Sequence, residues 1–184
     1  MTITIIISGM AGSGKTSLAK ALANHYGFKY LCGGDALKEI AMRKGYHFSG
    51  DDWWETEDGM RFLSERKNNP DFDKEVDAFL KKKACEGSVA ITSWALPWLG
   101  AVGVKIWLNA AQGTRAKRIM KRDVSAFDTA LAAVKKRDIE NIELYKRMYG
   151  YVLDKDRDVF DLVLETDSKT IDELKKEVVE FIDK

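Results

Sequence analysis

The sequence predicts an α/β protein: a five-stranded parallel sheet, doubly wound, with helices on both faces in three α/β/α layers. Short apolar, β-branched runs recur along the 184 residues, and long stretches of helical spacing separate them. That is the order strand–helix–strand units produce. The first run also stops at a glycine turn and passes directly into a helix.

Ile3 to Ile7 reads as the first strand, apolar without alternation, as a strand buried on both faces must be. Lys15 to Tyr26 reads as a helix, with Leu18 and Leu22 one turn apart. Further strands are expected at Phe28 to Leu31, Val89 to Ile91, Val104 to Leu108 and Phe160 to Leu164. Ile171, Leu174, Val178 and Phe181 mark a C-terminal amphipathic helix whose apolar face belongs to the core. Between about Gly50 and Gly87 the composition turns charged and aromatic, with Phe72, Val76, Phe79 and Leu80 at helical spacing, so a helical insertion is expected there. Thr114 to Tyr149 is nearly all helix-forming, broken near Asp123-Val124-Ser125, where Ser125 can cap the second of two helices that can hinge. The expectation is one domain, 1–184, with its core in 1–49 and 88–184.

A hydrophobic fraction of 45% with 32% charged residues is the balance of a soluble globular chain. Lysines and arginines (30) nearly cancel aspartates and glutamates (29), so the net charge of +1 supplies no global field for nucleic acid or an anionic membrane. Any anion site is local. Cys32 and Cys85 form neither a CxxC pair nor a disulfide framework, which suits a reducing, cytoplasmic setting. No basic leader precedes the first strand, and no segment approaches ~18 apolar residues, so neither a signal peptide nor a membrane span is expected. His25 and His47 have no partner at metal spacing and read as surface positions.

Gly9-Met10-Ala11-Gly12-Ser13-Gly14-Lys15-Thr16 matches G-x-x-x-x-G-K-[ST] and lies between a predicted strand and a predicted helix, the context that motif requires. Its glycines let successive backbone N–H groups turn inward on phosphate oxygens, and the helix adds its positive end. Lys15 can reach the β and γ phosphates, and the Thr16 hydroxyl can join a Mg²⁺ shell. The cofactor-binding stretch thus runs from Gly9 to Ser17, with ATP and Mg²⁺ as the expected cofactors. Arg115, Arg118 and Arg122 recur at i, i+3 and i+7, a single helix face able to clamp phosphate or simply to stay solvated.

With the phosphate loop, the Gly34-Asp35 turn, Asn69 to Asp77, Val104 to Leu108, Arg115 to Arg122, Tyr145 to Gly150 and Phe160 to Leu164, the chain resembles the nucleoside monophosphate kinases, most closely the archaeal cytidylate kinases. The resemblance implies a P-loop fold with an acceptor-binding insertion at about 50–87 and a short lid at about 114–140. It implies transfer of a phosphoryl group from ATP to a small acceptor such as CMP, with no nucleic acid or membrane partner, in a monomer or homodimer. Lys15, Arg118, Arg122 and Arg137 are the expected catalytic cations, Arg137 standing where the family carries a lid arginine. Asp35, Lys38, Trp94 and Arg61 are the expected acceptor contacts, and Thr16 the metal contact. Three positions depart from the family pattern. Lys38 replaces an arginine, Thr92-Ser93-Trp94 replaces an acidic residue, glycine and arginine, and Leu144 replaces a further arginine, beside Asn141. An acceptor without a phosphate, or a nucleotide-binding switch with no small acceptor, is the alternative. Trp53, Trp54, Trp94 and Trp98 either line a flat slot or fill core, and Arg61, Arg66 and Lys67 can supply phosphate contacts from the insertion.

Overall fold

A computed structural model describes residues 3–47, 58, 61, 62, 65, 69, 71–123 and 126–184. The strands are β1 (Thr4–Gly9), β2 (Lys29–Cys32), β3 (Val89–Thr92), β4 (Val104–Asn109) and β5 (Leu162–Glu165). The helices are α1 (Lys15–Tyr26), α2 (Gly33–Arg43), α3 (Asp71–Glu86), α4 (Gln112–Asp123), α5 (Phe127–Tyr149) and α6 (Ile171–Ile182). The five strands form one parallel sheet in the order β2-β3-β1-β4-β5.

Alternation along β1 sorts the two core layers. Ile5 and Ile7 face α1 and α6, packing with Leu18, Leu22, Leu174 and Val178. Ile6 faces the other way, among Leu37 and Ile40 of α2 and Phe72, Val76 and Leu80 of α3. All three isoleucines are fully buried, which is why β1 shows no polar alternation. The apolar spacing expected for the insertion is therefore the inner face of α3, and Phe79 packs partly buried against the same layer. Phe181 differs from its expectation: it is 39% exposed, while Val178, Val179 and Ile182 make the core contacts at that end of α6.

A third, aromatic layer closes the far edge. Trp98 stacks on Tyr151 with ring centroids 4.4 Å apart, meets Phe160 and Trp107 edge-on, and gives its Nε1–H to the Asp156 carbonyl. Trp98 is thus core. Phe160, expected in the last strand, belongs to this cluster instead, and β5 begins two residues later. α5 starts after Ala126 and runs unbroken to Tyr149, the end expected for the second of the two helices. Ser125, Trp53, Trp54, Arg66 and Lys67 lie outside the described residues. Among the described residues no helix is long and apolar enough to cross a membrane.

Candidate functional site

The strand order reverses beside β1, and the Gly9–Thr16 loop emerges at its carboxyl end, the position where open α/β sheets bind ligands. Two contacts explain its glycines. A Cβ on Gly9 would sit 2.6 Å from the Leu108 carbonyl, and one on Gly12, at φ 80°, would sit 3.0 Å from the Arg115 carbonyl. The loop is therefore wound against β4 and α4 more tightly than side chains allow. Gly14 caps α1 with no side-chain bond, and the first turn carries no acid, so the helix keeps its positive end and its open N–H groups for a ligand. Ser13 Oγ is buried with no hydrogen-bond partner, a further donor without an occupant in the protein. This donor set fits a polyphosphate.

Lys15 lies back on the loop. Its Nζ donates to the carbonyls of Gly9 (2.7 Å) and Met10 (2.9 Å) and stands 5.1 Å from the centre of the Trp94 ring. Burial, then the charges of Arg137 and Arg115, lower its pKa to about 7, with Asp138 opposing them. Thr16, exposed one residue on, presents the hydroxyl suited to Mg²⁺. Among the described residues no group of three acids, histidines or cysteines forms a protein-only metal cage. A single hydroxyl still suits Mg²⁺, which keeps most of its shell as phosphate oxygens and water.

Two cavities flank the loop and share Gly12, Lys15, Thr16 and Arg122. The first, of about 430 Å³, is walled by the start of α2, by α3, by Thr92 to Trp94 after β3, and by Arg137 and Tyr145 of α5. The second, of about 590 Å³, lies toward α6 and is lined by Ser17, Arg118, Thr170 and Ile171.

The three arginines expected on one clamping face have three different employments. Arg115 is buried, donating to both oxygens of Asp138 (2.9 and 2.6 Å) and to the Ala11 carbonyl (3.0 Å), which ties α4 and α5 to the phosphate loop. Arg118 donates to the Ser13 carbonyl (3.2 Å) and to Thr166 (3.0 Å) and opens only on the second cavity. Arg122, held by Asp123, reaches both cavities. The cations on the first cavity are thus Lys15, Arg122 and Arg137 among the described residues.

Of the expected acceptor contacts, Asp35, Lys38 and Arg61 do not border the first cavity. Asp35 turns back to accept from the Cys32 N–H (3.2 Å), closing the capping box of α2, so it does not line the cavity. Lys38 also falls outside the lining. Arg61 pairs with Asp58 at 3.2 Å and stands over the Tyr46 ring, away from the loop. Of the expected set only Trp94 remains, stacked on Tyr145 with the rings 10° from parallel. The same cavity is also bordered by Asp73 and Asp77 of α3 and by Asn141 and Tyr145 of α5. The signal for the acids was available: Asp77 interrupts the otherwise apolar face of Phe72, Val76 and Leu80 and is itself buried. The Arg115–Asp138 pair left no such trace, its partners being 23 residues apart.

A phosphate loop at the reversal point of a five-stranded parallel sheet, with a helical pair tied to it, defines the P-loop kinase class of fold. Within that class, the model of the cytidylate kinase-like family matches residues 3–168, and the chain belongs to that family. It is 31% identical over 165 residues to a cytidylate kinase of Pyrococcus horikoshii, covering 89% of this chain and 80% of the relative. It is 30% identical to one of Methanopyrus kandleri, over 94% of this chain and 89% of the relative. Among solved structures, an uncharacterized protein from Eubacterium ventriosum superposes with a TM-score of 0.72 at 22% identity, covering 100% of this chain and 99% of the other. A shikimate kinase from Bacteroides thetaiotaomicron does so with a TM-score of 0.63 at 16% identity, over the whole of both chains.

Proposed function

We propose that the protein transfers the γ-phosphoryl group of Mg·ATP to a nucleoside monophosphate, with CMP the first acceptor to test. One observation carries this reading: the Gly9–Thr16 loop and Lys15 open onto a walled cavity of about 430 Å³ that is deep enough for a second substrate. Membership in the cytidylate kinase-like family supports CMP as the acceptor.

In this reading the loop amides from Gly9 to Ser17 and the Ser13 hydroxyl hold the β and γ phosphates, and Thr16 contributes the metal contact. Mg²⁺ supplies neutralisation of charge on the transferring group. Lys15 leaves the Gly9 and Met10 carbonyls for phosphate oxygens. Arg122 and Arg137 stand on the lid side of the same cavity and offset the charge that builds up during transfer. Arg118 serves the donor from the second cavity, whose Ile171 and Leu174 offer an apolar surface to its base. Closure of α4 and α5 excludes water from a reaction that would otherwise waste ATP. The protein needs no nucleophile of its own; positioning and charge supply the catalysis.

A second reading, an acceptor without a phosphate, has one observation in its favour. The acceptor wall carries Asp73 and Asp77, while the cavity's cations among the described residues sit on the loop and lid. A coupled assay of ADP formation across CMP, UMP, dCMP, AMP and GMP tests the proposal. Turnover of at least one monophosphate well above the acceptor-free rate supports it, and turnover only with the parent nucleosides replaces it with the second reading.

A further inference from the structure

The Lys15 ammonium is engaged by the protein itself. Its N–H donors reach the Gly9 and Met10 carbonyls at 2.7 and 2.9 Å, and its Nζ stands over the Trp94 ring, 5.1 Å from the ring centre. An ammonium within about 6 Å of an indole centre is drawn to the ring face, more strongly where water is excluded. Burial, then the charges of Arg137 and Arg115, disfavour the ammonium where it lies, so each partner that favours it counts. The ring is firmly placed. Ser93, buried beside it, donates its N–H to the Ile7 carbonyl at 3.2 Å, and its Oγ accepts from the N–H groups of Ala95 (3.1 Å) and Leu96 (3.2 Å). The Ser8 hydroxyl donates to the Ser93 carbonyl, and the Tyr151 hydroxyl to the Trp94 carbonyl at 3.2 Å. The indole then lies nearly parallel to Tyr145 of α5, with ring centroids 6.0 Å apart. Main chain anchored to β1 and a stacked neighbour thus hold this ring at the lysine.

Resting on the reading of the Gly9–Thr16 loop as the donor site, we infer that Trp94 is a positioning residue for Lys15: it holds the ammonium back on the loop, so that a polyphosphate donor binds only by drawing Lys15 off the indole ring. Donor binding then exchanges two carbonyls and a ring face for phosphate oxygens. The carbonyls belong to backbone that any side chain at position 94 leaves in place, whereas the ring contact is set by Trp94 alone. Removing the ring raises the free energy of the withdrawn lysine and leaves the phosphate-bound lysine as it was, which tightens donor binding, since a ligand gains from whatever destabilises the competing state. A residue that only packs against the site behaves in the opposite way. Its truncation loosens the wall, and binding weakens or stays unchanged. An aliphatic side chain fills the space without attracting the ammonium, while a tyrosine keeps a ring face that does.

The test is the affinity for the Mg²⁺ complex of a non-hydrolysable ATP analogue, measured by titration calorimetry with no acceptor present, so that any contact between Trp94 and an acceptor does not enter. Trp94→Leu is expected to bind the analogue about 3-fold or more tighter than the wild type, and Trp94→Tyr to stay within about 2-fold of the wild type. Trp94→Met, flexible enough to fill the same space, is made alongside and decides the matter if Trp94→Leu does not fold. Unchanged or weaker binding by the aliphatic variant overturns the inference, as does a Trp94→Tyr that binds as tightly as that variant. Failure of the donor reading is separately visible. A wild type that does not bind the analogue contradicts the role of the loop and the inference with it, whereas binding that is indifferent to Trp94 contradicts the inference alone.

Discussion

At the scale of single residues, Lys15 holds its charge against resistance. With a pKa of about 7 in place of 10.5, its ammonium is disfavoured in the folded, ligand-free protein. The sign follows directly. Below pH 7 the charged form persists at a cost to folding, and that cost is relieved as pH rises from 7 toward 10.5, where the unfolded chain still binds the proton. A polyphosphate reverses the preference, because it favours the ammonium. Binding of ATP at pH 8 is therefore expected to take up a proton, and affinity is expected to fall between pH 7 and 9. Titration calorimetry in buffers of different ionisation enthalpy measures the uptake, which should vanish in Lys15→Ala. The phosphate-loop residues were legible in the sequence because a backbone cradle needs glycines at fixed spacing. Asp35 was not, because a cap and an acceptor contact ask for the same residue type at the same turn, and only the Cys32 N–H separates them.

Among the elements, the decisive contact lies between α4 and α5. Arg115 and Asp138 are both nearly inaccessible and bidentate, and Arg115 also holds the Ala11 carbonyl. Arg115→Ala leaves Asp138 buried without its cation, an expected loss of about 3–5 kcal/mol in chemical denaturation. The double variant Arg115→Ala, Asp138→Ala is expected to recover part of that loss, since no charge is then stranded. A double variant less stable than the single would contradict the pairing. The strands were legible from their apolar runs and came within two residues of their ends, and α4 and α5 were legible from the break near Asp123, but the partners of their arginines were not. Periodicity put Arg115, Arg118 and Arg122 on one face, and tertiary packing then gave each a different partner.

For the whole molecule, the sheet's reversal point brings together segments that lie far apart in the chain: the loop after β1, the turn after β3, α3 and α5. Ligand binding should therefore stabilise the domain as a unit. Mg·ATP at about 100 times its Kd is worth about 2.7 kcal/mol, or a rise in Tm of about 5–11 °C for a domain of this size, read by thermal shift. An unchanged Tm would contradict a preformed donor site. Fold class and the loop after β1 could be read from the sequence because each depends on local spacing. The α3 wall of the first cavity was legible only at Asp77, which breaks an apolar face, because α3 meets the loop only after the sheet has assembled around β1. The central claim is that Lys15 and its loop drive phosphoryl transfer to an acceptor held in the adjoining cavity. The most direct measurement is CMP-dependent ADP formation by wild-type protein and Lys15→Ala side by side. Clear stimulation by CMP in the wild type and a loss of about 100-fold or more in kcat for the variant are expected; near-normal turnover by Lys15→Ala would contradict the mechanism.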